Sequence, residues 1–367
     1  MRILLVFVSV MVLMACSTPN IQYANTSNVA SSKINVLIID GQNHHHVWPK
    51  STVMLKQYLQ ETALFTVDVY RTRLLWRGKQ EANYLAPYNR ANTVHMPEAA
   101  IDPSFSPEFE NYDVIVSNFG FNTADWPVKT QRAFEQYMEN GGGFVSIHSA
   151  NNSFPNWSAY NLMTGLGGWG KRNEKDGPYV FFSDDGDLIK DISPGPAGAH
   201  GTRHEFQIQT RESHPIMDGL PKVWMHTKDE CYGNLRGPAQ NMTIIASAYC
   251  PPEERGTGKH EPMLMVLTYG EGRIFHTTLG HQAESYESVG FITTFLRGTQ
   301  WAATGEVSIA IPDDFPSAEQ SSSRAFVRND ALDEAPVDLR VGEGFIEPLG
   351  YYEAEPRFSW RLSPDAD

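Results

Sequence analysis

The chain has 367 residues, 41% of them hydrophobic, with 43 acidic against 29 basic side chains and a formal net charge of −14. That length supports one large domain with a substantial core. The acidic excess excludes nucleic acid and anionic lipid headgroups as electrostatic partners, but residues 303–367 alone carry 14 acidic and 5 basic side chains, so the charge says little about a pocket.

Arg2 precedes an apolar run from Ile3 to Met14, too short for a comfortable membrane span and suited to an export signal. Leu13-Met14-Ala15-Cys16 resembles the lipobox of bacterial lipoproteins. That resemblance implies removal of residues 1–15 and lipidation of the Cys16 thiol. With Ser17 next, it also implies an outer-membrane anchor facing the periplasm. Residues 16–33, rich in Ser, Asn and Thr, read as a flexible tether. Two further cysteines, Cys231 and Cys250, fit a disulfide of an exported protein or two separate buried thiols, and the sequence leaves both open.

The apolar run at 34–40 predicts a buried strand ending at Gly41. Ser51 and Thr52 then predict the cap of a helix to about Thr62, with Met54, Leu55, Tyr58 and Leu59 on its inner face. Strands are expected at 65–72 and 112–118, separated by a proline-containing surface excursion over 73–111. A helix is expected from about Trp126 to Asn140, stopped by Gly141. Residues 141–150, GGGFVSIHSA, predict a buried strand running into a tight turn. Strand-helix alternation of this kind predicts a parallel sheet covered on both faces. The later half reads as more β-rich, with strands at 204–210, 243–249, 263–269 and 273–279. Gly270-Glu271-Gly272 turns the last two into a hairpin, and a closing helix covers about Ser285 to Ala302. The domain thus runs from 34 to 305, and 306–367 reads as an acidic, largely irregular tail with short strands near Phe326 and Val341.

Polar groups gather where strands should end. His148 occupies the position that a nucleophile takes in a strand-turn-helix elbow. His44-His45-His46-Val47-Trp48 follows the first strand, and His281 follows the last. If those strands are parallel, His46, His148 and His281 meet at one rim, where open α/β sheets bind ligands. His226, Asp229 and Glu230 lie among strand-like segments, and adjacent carboxylates there must point in different directions. His200 and His204 are four residues apart, a metal spacing only on a helix, and 204–210 reads as strand. Converging imidazoles with a carboxylate suit either a divalent metal such as zinc or acid–base chemistry on a hydroxylated substrate. Trp48, Trp126, Trp157, Trp169 and Tyr232 offer flat faces of the kind on which sugar rings stack. The first strand leads into Gly41-Gln42-Asn43-His44, not Gly-x-Gly-x-x-Gly, which excludes NAD as a cofactor. Ser146 and Ser149 flank the elbow position without occupying it, which speaks against a serine hydrolase.

GQNHHHVW (41–48), GGGFVSIHSA (141–150), HEF (204–206), HPIMDGLP (214–221), DECY (229–232), YGEGRIFHTTLGHQ (269–282) and RGTQWAATG (297–305) together resemble the trehalose-utilisation (ThuA-like) domain over about 34–305. The resemblance implies a flavodoxin-like, three-layer α/β sandwich with a mainly parallel sheet, similar to class I glutamine amidotransferases. Those enzymes carry Gly-x-Cys-x-Gly at the elbow, whereas Ser146-Ile147-His148-Ser149-Ala150 has no nucleophilic cysteine, so glutaminase chemistry is excluded. The resemblance implies disaccharide catabolism through 3-keto-glycosides, in some members with a divalent metal. Its motifs carry over His46, His148, His204, Asp229, Glu230, Tyr232 and His281. The expected roles are catalysis for His148, His281, Asp229 and Glu230, substrate contact for His46, Trp48, His204 and Tyr232, and metal ligation for His46, His148 and His281. The expected partner is a small carbohydrate. A non-catalytic sugar-binding surface lipoprotein and a scaffold acting through its acidic tail are the competing classes.

Overall fold

The computed structural model describes residues 33–329 and the backbone of two short strands at 337–341 and 358–361. The export signal, Cys16, the tether up to residue 32 and the remainder of the tail lie outside the described residues.

The first half alternates strand and helix. β1 (Ile34–Gln42), α1 (Trp48–Glu61), β2 (Phe65–Trp76), β3 (Val94–Met96), β4 (Val114–Ser117), α2 (Val128–Glu139), β5 (Gly143–Ile147) and α3 (Ser158–Thr164) follow in order. The second half is mostly strands: β6 (Tyr179–Phe182), β7 (Leu188–Asp191), β8 (Ala199–His200), β9 (His204–Thr210), β10 (Val223–Asp229), β11 (Tyr232–Gly233), β12 (Met242–Cys250), β13 (Lys259–Tyr269) and β14 (Gly272–Thr277). It closes with α4 (Ala283–Tyr286) and α5 (Val289–Thr304), while β15 (Val337–Val341) pairs with β16 (Phe358–Arg361) in the tail.

The main sheet runs β10-β9-β12-β13-β14-β5-β4-β1-β2-β3. From β14 to β3 every pairing is parallel, and from β14 outward through β13, β12, β9 and β10 every pairing is antiparallel. The central parallel strands are buried on both faces, which is why they read as unbroken apolar runs. Val36, Ile38, Val145, Ile147 and Phe275 face α1 and α5. Leu37, Ile39, Ile115, Phe144 and Ile274 face α2 and α3. The result is the three-layer α/β sandwich with a mostly parallel sheet.

Several boundaries differ from the sequence-based expectation for local reasons. α1 starts at Trp48, because Pro49 fits the first turn of a helix. Ser51 and Thr52 therefore lie inside it and bond to Trp48 O and Asp40 Oδ2. The closing helix is broken in two around Glu287-Ser288. Phe326 is in no strand; its ring packs against Tyr58 at 6.2 Å. Residues 306–329 lie against the domain rather than away from it: Arg297 donates to Ile309 O, and Phe315 packs on Trp224.

Candidate functional site

β1, β5 and β14 point the same way, so the turns after them share one rim of the sheet. His148 opens a short turn over residues 148–152 with φ +46°, a left-handed conformation that side chains other than glycine adopt at some cost. His281 follows Gly280, whose φ of +117° is open to glycine. The third imidazole comes from the turn after β1. Ring centroids of His45 and His148 lie 4.9 Å apart, those of His45 and His281 4.7 Å, and those of His148 and His281 5.5 Å. Glu230 completes the group: one ligand atom each from His45, His148, Glu230 and His281 lies within 4.8 Å of the others.

The outer face of each imidazole is held. His148 Nδ1 donates to Thr278 O at 2.6 Å, since a carbonyl can only accept. His45 Nδ1 sits 3.1 Å from Asn43 Oδ1; that oxygen is the acceptor because the Asn43 amide nitrogen donates to Asn118 O and Phe119 O. His281 Nδ1 lies 3.0 Å from Glu230 Oε2. The acceptors at Thr278 and Asn43 place the proton of His148 and His45 on Nδ1 and leave Nε2 as the lone-pair nitrogen, whereas His281 Nε2 lies 3.4 Å from the Gln282 amide nitrogen. His148 Nε2 is buried with no hydrogen-bond partner among the described residues.

Burial, reinforced by the neighbouring His281, pushes His148 down to about 4. Burial and the neighbouring imidazoles likewise hold His45 well below the usual imidazole range. Both are therefore neutral donors at neutral pH. Burial alone would raise the Glu230 carboxyl, but its close approach to His281, with His148 and His200 nearby, holds it below the usual range, so it is an anion. The donor set is thus three imidazoles and one carboxylate, which suits a divalent transition metal.

A cleft of about 230 Å³ opens over this group, lined by His45, Glu230, Tyr232 and His281 and walled by His44, Phe121, Asn152, Trp169 and His200. Tyr232 is buried beneath it, its ring 4.3 Å from that of His148. Glu230 and Tyr232 flank Cys231, which is disulfide-bonded to Cys250 at the end of β12, with a Cα–Cα distance of 5.6 Å. The bond clips the carboxylate-bearing segment to the sheet.

Other expected site residues are placed elsewhere. His46 is exposed and its Nε2 accepts from Arg77 at 2.9 Å; the inward member of the histidine run is His45. Trp48 does not line the cleft. It is fully buried, stacked 4.8 Å from the Arg71 guanidinium, which in turn pairs with buried Asp40. His204 lies on β9, its Nδ1 donating to Thr202 O at 2.8 Å, and is not among the lining residues. Asp229 also stays behind the cleft. Its carboxylate accepts from His226 Nε2 and from the backbone N–H groups of Glu230, Gly280 and His281 at 2.8–3.1 Å. Burial opposes that charge, but the His226 bond and the other donors hold its carboxyl well below the ordinary range. Asp229 therefore positions the His281 loop. Sequence reasoning missed Phe121, and it missed Asn43 and Asn152, for which a polar residue after a strand end was the sole signal.

The fold and this geometry can be set beside known proteins. A ThuA-like protein from Parabacteroides merdae, whose crystal structure is known, is 40% identical, superposes with a TM-score of 0.69, and covers 80% of this chain and 98% of its own. A second ThuA-like protein, from Bacteroides uniformis, is 15% identical with a TM-score of 0.47 over 77% of this chain and 97% of its own. An alpha-L-rhamnosidase from Alteromonas sp. (strain LOR) is 54% identical over 46 residues, which is 12% of this chain and only 5% of that enzyme's length. The family model described as trehalose utilisation matches residues 35–302. The chain belongs to the ThuA family, and with that membership comes a carbohydrate-related role.

Proposed function

We propose that this protein is a carbohydrate-processing enzyme that cleaves a 3-keto-glycoside or related disaccharide derivative at the cleft over His45, His148, Glu230 and His281. The observation that carries the reading is the convergence of those four groups within 4.8 Å. The three imidazoles, two of them with Nδ1 held by an acceptor, are the residues that would hold a divalent ion. That ion, when bound, supplies electrophilic polarisation of a substrate oxygen. Glu230 lines the cleft between His281 and His200, at 3.0 and 3.3 Å, and is the proton-transfer group. A ketone at C3 acidifies the C2–H bond. Glu230 takes that proton, the released electron pair becomes the C1=C2 bond, and the C1–O glycosidic bond breaks. The leaving oxygen then recovers the proton from Glu230, so atoms and charge balance without a further reactant. We also propose export and lipid anchoring at Cys16, supported by the Leu13-Met14-Ala15-Cys16 sequence.

Metal analysis of the natively purified protein, with assay of 3-keto-trehalose cleavage before and after chelation, tests the reading. About one divalent ion per chain and chelator-sensitive cleavage are expected. Tight sugar binding with no product would replace catalysis by the binding-protein alternative.

A further inference from the structure

Asn152 stands out on the wall of the cleft. It is 1% exposed, and its Oδ1 accepts from Gly168 N–H at 2.6 Å, which fixes the orientation of the amide. Its Nδ2 is buried and meets no acceptor among the described residues. A buried donor left without an acceptor costs on the order of 1–3 kcal/mol, and this one belongs to a residue lining the cleft. The residue after Gly168 is Trp169, whose ring lies 5.0 Å from that of Tyr232 and 6.5 Å from that of Phe121. Trp169 is fixed in turn by its N–H to Ala197 O and by close packing on Gly198, where a Cβ would come within 2.7 Å of the tryptophan. One hydrogen bond thus ties an uncommitted amide donor to a flat aromatic face.

The cleft, at about 230 Å³, is smaller than the roughly 300–1,000 Å³ that encloses a drug-sized ligand. It has room for one pyranose, not two. We propose that Asn152 and Trp169 form a single-ring sugar subsite, in which the ring lies against Trp169 and the Asn152 amide donates to one ring oxygen substituent, so the protein acts on a terminal sugar residue with the rest of the glycoside outside. This rests on the functional reading above for the reaction, and on Asn152 and Trp169 alone for binding.

Calorimetric titration of the mature protein with methyl α-3-keto-glucoside, 3-keto-trehalose and methyl α-glucoside tests it, alongside turnover of the two keto sugars. The one-ring and two-ring keto sugars are expected to bind within about threefold of each other, because the second ring adds few contacts. Asn152→Asp keeps the acceptor for Gly168 but removes the donor, and should weaken binding about tenfold or more while metal content and Tm stay at wild-type values. Binding by Asn152→Asp within about twofold of wild type, or no binding of any of the three sugars by the wild type, overturns the proposal. Sugar binding that Asn152→Asp weakens, without turnover by the wild type, sinks the reaction but keeps the subsite. Undiminished turnover and binding in Asn152→Asp does the reverse. Should that variant fail to fold, Trp169→Phe replaces it: several-fold weaker binding supports the subsite, and unchanged binding overturns it.

Discussion

The parallel and antiparallel parts of the sheet supply the cleft by different means. In the parallel part, β1, β5 and β14 each deliver one imidazole directly from the turn at the strand's carboxyl end, and the sheet itself sets their spacing. In the antiparallel part Glu230 follows the end of β10, the edge strand, and Tyr232 opens β11, which pairs with β8 beside the main sheet. This side segment is clipped down by Cys231–Cys250 and braced from below. Metal-binding or catalytic groups on strand ends inherit rigidity from the core, whereas groups on a side segment need dedicated fasteners. The first part should therefore fail through chemistry and the second through stability.

Replacing an imidazole of the parallel part should have the largest effect. His148→Ala and His45→Ala each remove a nitrogen donor from the group of four. Turnover of 3-keto-trehalose is expected to fall by roughly 10²–10⁴-fold, with bound metal lost and Tm little lowered. Retention of both metal and turnover in either variant would break the comparison at its firmer side.

In the antiparallel part, the double variant Cys231→Ser/Cys250→Ser removes a cross-link with a sequence separation of 19. For a loop of that size the loss is about 3 kcal/mol, or roughly 6–12 °C in Tm for a domain of this class. A scanning calorimetry trace shifted by less than about 2 °C would show that the segment bearing Glu230 does not depend on its fastener.

The brace below that segment is Glu261 on β13. It is fully buried; its Oε1 accepts from the hydroxyls of Tyr179 and Thr257 and from Asn234 N–H, just past β11. Gly233 has no room for a Cβ, which would lie 2.7 Å from that oxygen. Burial pushes this carboxyl up to about 7 from 4.5, against the pull of its hydrogen-bond donors. A folded-state value above the unfolded one means the folded state prefers the protonated acid. Its contribution is complete below pH 4.5 and is lost as pH rises through 7, by about 3 kcal/mol at most. Glu261→Gln holds the neutral form at all pH values, so its stability relative to wild type should climb between pH 4.5 and 7.5. Parallel denaturation profiles for the two proteins over that range would remove Glu261 as the brace.

The same division governs what could be read from the amino acids. The strands around Val36, Val116 and Val145 and the helices over Met54 and Phe134 are legible because burial on both faces leaves an apolar signature. The rim position of His148 and His281 follows from strand direction alone. Which of His44, His45 and His46 turns inward does not, since it depends on backbone torsions in a turn and on Asn43 reaching across to Asn118 and Phe119. Trp48 misleads for a related reason: its face is taken by Arg71, buried through its pairing with Asp40. Likewise Asn152 gains its meaning from Gly168, sixteen residues on. Contacts of this sort join segments that no periodicity connects.

The smallest expected effect is the most pointed about how turns select among neighbours. His46 and His45 are adjacent and chemically identical, yet only His45 lies among the four gathered groups, while His46 is exposed and takes a hydrogen bond from Arg77. Exposed substitutions away from special contacts are usually worth within about 0.5 kcal/mol, so His46→Ala should leave turnover and metal content within about twofold of wild type. His204→Ala, on β9 outside the cleft lining, should do the same for turnover. A loss in His46→Ala as deep as that in His45→Ala would mean the turn after β1 rearranges when substrate enters, exchanging one imidazole for the other. Turnover by the double variant His45→Ala/His46→Ala would then separate exchange from independent roles: under exchange, with both imidazoles serving one position on one pathway, it falls by less than the product of the single effects, and under independent roles by about that product.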